Sequence, residues 1–181
     1  MVINICLVAL IILIVIVLIT YNGFIRLNNK VKESESKIDI LLNQRFDLIP
    51  NLVECVKGYS KYESETLEDL TSLRSSYKNS DFSVSENEKI DKGFNKFFAI
   101  AEAYPDLKAN SQYISLQNSL SEIENKLIYA RIGYNDSVTK YNNHVETIPS
   151  NIIAKIFAFE KKELFKIDEE KRENIKMDFS K

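Results

Sequence analysis

The sequence predicts an all-α protein: an N-terminal transmembrane helix followed by an antiparallel up-and-down four-helix bundle. Three observations carry that prediction. Turn-forming residues are scarce, with 4 Gly and 3 Pro in 181 residues, whereas a sandwich or barrel needs turn signals every ~8–12 residues. Ile5 to Ile19 is an unbroken apolar run. Beyond it, apolar residues recur at steps of three and four in four successive segments, the period of a helix with one buried face. The organisation expected is an anchor at 1–20, a helical bundle at 21–149, and a C-terminal apolar cap segment with a charged tail at 150–181.

The anchor follows from length and hydropathy. About 20 helical residues at about 1.5 Å each cross a hydrocarbon core of ~30 Å. Ile, Leu and Val near the centre each favour insertion by ~0.3–0.6 kcal/mol, so Asn4 does not offset the run. No basic residue precedes it, and Thr20-Tyr21-Asn22 follows in place of a small-residue cleavage site, so a retained anchor is expected rather than a signal peptide. Arg26, Lys30, Lys32 and Lys37 lie just after the run. By the positive-inside rule, a single-pass protein results, with a short N-terminus outside the cell membrane and the bundle in the cytoplasm. Tyr21 and Phe24 stand where interfacial aromatics belong.

The first bundle helix has its stripe at Leu27, Val31, Ile38, Leu41, Leu42 and Phe46. Ser34 falls on the same stripe and predicts a loosely packed junction near the membrane. At Arg45-Phe46-Asp47-Leu48-Ile49-Pro50 two readings stand. In one, Asp47 caps a new helix whose first turn holds Pro50, where a missing amide hydrogen costs nothing. In the other, one long helix is kinked, because Ile49, Leu52, Val53 and Val56 continue the phase of Ile38, Leu42 and Phe46. A second helix carries Leu52, Val53, Val56, Tyr59, Leu67, Leu70, Leu73 and Tyr77 and ends at Lys78-Asn79-Ser80-Asp81. Ser83 and Ser85, each three residues before a glutamate, open a third helix that buries Ile90, Phe94, Phe97, Phe98 and Ala101 and runs to about Tyr104. Pro105 breaks it, and Pro105 or Ser111 opens the fourth. There Leu116, Leu120, Ile123, Leu127, Ala130, Tyr134, Val138, Tyr141 and Val145 form the seam of an antiparallel, coiled-coil-like bundle, ending at Ile148-Pro149.

Asn151 to Phe159 is apolar on nearly every face, as in a cap over the end of the bundle or a surface that meets the membrane interface or a partner. From Lys161 to Lys181 the dense alternation of charge predicts a solvated helix or frayed tail.

Few residues offer chemistry. Cys6 and Cys55 make neither a disulfide framework nor a metal site. His144 is the single histidine and has Tyr141 three residues before it, so the Glu-x-x-His pairs of a di-iron bundle are missing. No phosphate loop or dinucleotide fingerprint is present, and a net charge of -2 gives no reason to expect nucleic acid as a partner. No catalytic, cofactor-binding or metal residues are therefore assigned.

One polar stripe stands out: Glu124, Arg131, Asn135 and Asn142. Steps of seven, four and seven keep them on one flank of the fourth helix. Arg45, Glu54 and Glu102 could face it from other helices. A buried ion and amide network that fixes helix register is one reading, and a recognition site for a peptide or small ligand is the other.

The stretch from Arg45 to Gly58, together with Ala101-Glu102-Ala103-Tyr104-Pro105-Asp106-Leu107-Lys108-Ala109-Asn110, resembles the signature of LemA proteins. A third match is Leu116-Gln117, Glu124-Asn125, Ala130-Arg131, Tyr134-Asn135, Tyr141-Asn142 and Pro149. Cys55 stands where Thr or a similar residue is expected, and Gly133 where a polar one is. The resemblance covers almost the whole chain. It implies a bacterial single-span membrane protein with a cytosolic helical bundle and no established enzymatic activity. The expected function is a non-enzymatic interaction or scaffold protein that docks a protein partner at the cytoplasmic face of the membrane. The alternative is a helical sensor or adaptor linked to membrane proteolysis or envelope upkeep.

Overall fold

The computed structural model describes residues 1–57, 68, 71–75, 77, 82–101 and 104–166. The fold is all-α, and no strand occurs among the described residues. It is organised on α1, Val2–Asp47, a helix of 46 residues and so roughly 69 Å long. The helix changes character along its length. Up to Ile19 nearly every apolar side chain is exposed, and this part is long and apolar enough to cross a membrane. From Phe24 onward one stripe is buried: Phe24, Val31, Ile38, Leu42 and Phe46.

A single residue, Leu48, separates α1 from α2, Ile49–Lys57. Its dihedrals (φ -83, ψ -15) are those of a right-handed helix, so the chain holds its course. The Leu52 amide donates to the Leu48 carbonyl at 3.0 Å. Pro50 sits in the first turn of α2, where its missing amide hydrogen leaves no bond unmade. Ile49, Leu52 and Val56 are buried in phase with α1. The structure thus takes from both readings: α1 and α2 are separate helices with Pro50 in the first turn of α2, while the apolar phase runs on from one into the other. Asp47 is the last residue of α1 and not a cap for α2; its carboxylate accepts from Arg74 Nη2 at 3.1 Å.

Most of the expected second helix falls on residues 58–81, largely outside the described ones. Of its seam, Leu73 is half-buried, and Tyr77 packs on Phe46 at 5.5 Å and donates its hydroxyl to the Asp39 carboxylate. Helix α3, Val84–Ala101, begins one residue after Ser83 as expected, and residues 102–103 before Tyr104 lie outside the described ones. Its Ile90, Phe94, Phe97 and Ala101 are buried, with Phe98 packed beside them. Pro105–Lys108 forms the single turn α4. Asn110 then caps α5, Ser111–Glu146, with its side chain accepting from the amides of Gln112 and Tyr113.

Helices α1 and α5 pair antiparallel, because contacts climb in one as they fall in the other. Phe24 meets His144 at 4.4 Å, Ser34 Oγ meets Ser137 Oγ at 3.1 Å, and Arg45 reaches Glu124 at 3.1 Å. The junction at Ser34 is closely packed and not loose: its small side chain brings two hydroxyls into direct contact. Every residue of the predicted α5 seam is buried or packed on the core. Tyr113 extends the seam by a turn.

After α5 the chain forms a short helix, α6, Ser150–Ile156, which buries Ile153 and Ala154. Residues 159–166 then run without regular structure back along α5. This strap replaces the solvated helix or frayed tail expected from Lys161 on; residues 167–181 lie outside the described ones.

Candidate functional site

The polar stripe of α5 divides into two neighbouring groups with different partners. The first is an ion cluster where α1, α3 and α5 meet. Arg45 is buried, and its Nη1 donates to Asp91 Oδ1 at 2.9 Å and lies 3.1 Å from Glu124 Oε2. Arg131 grips the same Asp91 with two bonds, Nη1 to Oδ2 at 2.7 Å and Nη2 to Oδ1 at 3.2 Å. Two guanidinium groups thus balance two carboxylates, drawn from three helices. Each guanidinium also lies over an aromatic face, Arg45 4.0 Å from the Phe94 centroid and Arg131 5.2 Å from that of Phe165. The two guanidinium groups are the largely buried members, and a buried charge is tolerated when it is paired and bonded, so losing Asp91 takes a partner from both.

The second group is the amide pair. Asn142 Nδ2 donates to the Lys162 carbonyl and its Oδ1 accepts from the Lys162 amide, both at 2.9 Å. Asn135 does the same for Phe165, again at 2.9 Å twice. A carboxamide can give and take at once, so each asparagine satisfies both main-chain groups of one residue. The spacing matches. Seven helical residues rise about 10.5 Å, and three extended residues cover about 10 Å. Between the two rungs, the Tyr134 hydroxyl donates to the Glu163 carbonyl at 3.0 Å. Burial pushes the Tyr134 pKa up to about 12, with the negative charges of Glu35 and Glu163 adding to the effect. Lys162 Nζ reaches Glu35 on α1 at 3.4 Å. At the far end of the strap, Phe165 packs against Tyr134 and Phe82.

The ion cluster lines a cleft of about 640 Å³ between α3 and α5. Lys92, Asn95 and Asn125 lie along it beside the exposed Ile128 and Ile132, and Phe165 of the strap lines it too. The site offers fixed charge, amides and apolar edges, which suit recognition.

Of the residues singled out from the sequence, Arg45, Glu124 and Arg131 come together in the cluster, and Asn135 and Asn142 hold the strap. Glu54 is exposed on α2 and is not among the partners of Arg45. Glu102 lies outside the described residues. The central carboxylate, Asp91, was not legible: it sits next to Ile90 on the edge of the α3 stripe, and only the fold brings it to arginines 46 and 40 residues away. His144 is half-buried against Phe24 at the end of α5. Among the described residues, no group of three or more His, Cys, Asp or Glu side chains is arranged to hold a metal ion.

The family described as LemA family matches residues 34–179. A curated relative named Protein LemA, from Metamycoplasma hominis, is 30% identical over 138 residues, covering 74% of this chain and 63% of that protein. Magnetosome protein MamQ 1 and Magnetosome protein MamQ 2, from Paramagnetospirillum magneticum, are each 21% identical over 177 residues, covering 82% of this chain and 65% of theirs. The chain thus spans a little under two thirds of the length of the curated relatives it matches. The family match takes in α1 from Ser34 on, the ion cluster, the amide pair and the strap. With the all-α fold and its apolar N-terminal helix, these matches establish that the chain belongs to the LemA family.

Proposed function

We propose that this protein is a non-enzymatic interaction or scaffold protein, anchored by the first part of α1, that presents the α3/α5 cleft to a protein partner at the cytoplasmic face of the membrane. One observation carries this reading: α1 runs without interruption from the exposed apolar segment into the helix that supplies Arg45 to the ion cluster. A surface built on that helix is held at a fixed height above the bilayer. The four basic residues after the span support the cytoplasmic side. In this reading the described helices belong to an up-and-down four-helix bundle.

The same continuity favours a second reading, a sensor or adaptor. A shift of α1 in the membrane would be transmitted to the cluster, because Arg45 is rigidly held there.

A photo-crosslinking side chain in place of Ile132, on the cleft, tests the proposal in intact cells. A discrete cross-linked product is expected there and not from Tyr129, which is exposed outside the cleft lining. No product, or the same product from both positions, contradicts it. For orientation, protease added outside intact cells should leave the chain whole; digestion of the bundle would place it on the other side.

A further inference from the structure

The exposed face of α6 and the residues flanking it form an apolar row whose height on α1 can be read directly. Ile152 and Ile156 lie one turn apart on α6 and are 56% and 68% exposed, Ile148 just before the helix is 82% exposed, and Phe157 just after it is 47% exposed. The opposite side of α6 buries Ile153 and Ala154, so the row is an unpartnered face of a packed element and not a frayed end.

Its height follows from three contacts. Phe157 lies 4.9 Å from Tyr21, Phe159 stacks on Phe24 at 4.5 Å, and His144 at the end of α5 lies 4.4 Å from Phe24. A Cβ on Gly23 would come within 3.1 Å of His144 Nε2, so the end of α5 sits as close to α1 as this glycine allows. Tyr21 and Phe24 are two and five residues beyond Ile19, the end of the apolar run, which is about 3 to 7.5 Å along the helix. The headgroup layer on one side of a bilayer is ~5–7 Å thick. The Phe157 end of the row, and the end of α5 from which α6 leads off, therefore stand at the level of the headgroups whenever the first part of α1 crosses the bilayer.

We infer that Ile148, Ile152, Ile156 and Phe157 form a lipid-docking collar that lies in the membrane interface beside the anchor. The occupant is the boundary between headgroups and acyl chains. An apolar row meets acyl carbon there, while Lys155 in the last turn of α6 extends to lipid phosphate. The collar and the span are two points of contact on one rigid body, so together they set the tilt of α1. This inference rests on the span crossing the bilayer, and the test separates the two.

The chain has no Trp, so single tryptophans report their surroundings without background. The full chain is reconstituted in phosphatidylcholine vesicles whose lipids carry bromine high or low on the acyl chain. Phe157→Trp should emit to the blue of a water-exposed indole and be quenched more by the shallow bromine than by the deep one. Ile156→Trp, already on the exposed row, should behave alike. Val15→Trp should be quenched most by the deep bromine, and Ile132→Trp on the cleft by neither. Adding Ile152→Glu and Ile156→Glu should abolish the quenching of Phe157→Trp while leaving that of Val15→Trp intact. Unquenched Phe157→Trp and Ile156→Trp beside a quenched Val15→Trp overturns the collar alone. An unquenched Val15→Trp overturns the span and the collar together, and quenching of Ile132→Trp shows the whole bundle lying on the lipid, which overturns the collar as a distinct surface.

Discussion

Two halves of one stripe on α5 look alike in the sequence and hold different things. Glu124 and Arg131 meet side chains from α1 and α3, whereas Asn135 and Asn142, about one and three turns beyond Arg131, meet only the main chain of the strap. The difference comes from the groups themselves. A guanidinium only donates and a carboxylate only accepts, so each needs a partner of the other kind, and the fold supplies it from another helix. A carboxamide does both and can close on a single residue of any sequence other than proline. The charged half therefore ties helices to one another, and the amide half ties an irregular segment to a helix.

The largest effect expected from this contrast is at Asp91. Asp91→Ala removes both bonds to Arg131 and leaves Arg45 with Glu124 alone, and should cost about 3 kcal/mol, lowering Tm by roughly 6–12 °C for a chain of this size. Arg131→Met should cost less, since Asp91 keeps Arg45, and should leave unfolding cooperative. Equal losses from Asp91→Ala and from Glu54→Ala would remove the cluster from the account.

On the amide side, Asn142→Ala removes two hydrogen bonds worth about 1–2 kcal/mol together. The loss falls on the strap, so the melting curve should move less than for Asp91→Ala. Limited proteolysis should show the larger change, with faster cleavage at Lys161 and Lys162 and no new cuts in α5.

Alkali sharpens the same boundary. The Tyr134 hydroxyl titrates near 10.0 in the unfolded chain and is raised to about 12 in the fold. Between those values the folded state keeps a proton that the unfolded state has lost, so stability is full below about pH 10 and falls as pH rises towards about 12. Ionisation also removes the donor to the Glu163 carbonyl and should loosen the strap. Tyr134→Phe should flatten part of the alkaline fall in a urea-titration series. The smallest effect is Glu54→Ala, expected within about 0.5 kcal/mol of the parent because the side chain is exposed.

Much of this architecture was legible in residue order, for a physical reason. Burial of one helix face imposes a period, and the stripes of α1 and α5 carry it from Val31 to Phe46 and from Leu116 to Val145. The joint at Leu48 was visible twice over, in the proline that marks the first turn of α2 and in the unbroken apolar phase across it. Polar residues on the α5 flank stood out for the same reason, as exceptions beside a regular seam. Asp91 did not, since a carboxylate at the edge of a stripe reads like any solvated residue until a distant arginine arrives. The strap was invisible too. Its side chains are mostly exposed and charged, and what holds Lys162 and Phe165 is their backbone, which carries no sequence signal.

Amide hydrogen exchange at Lys162 and Phe165 tests the account most directly. Both amides donate to asparagine side chains in a segment without regular structure. They should exchange slowly in the parent chain, while the amides of exposed neighbours such as Lys161 and Leu164 exchange fast. Asn142→Ala should release Lys162, and Asn135→Ala should release Phe165, with α1 and α5 unchanged. Fast exchange at both positions in the parent, or protection that survives both substitutions, would contradict the claim that this stripe holds the strap by its backbone.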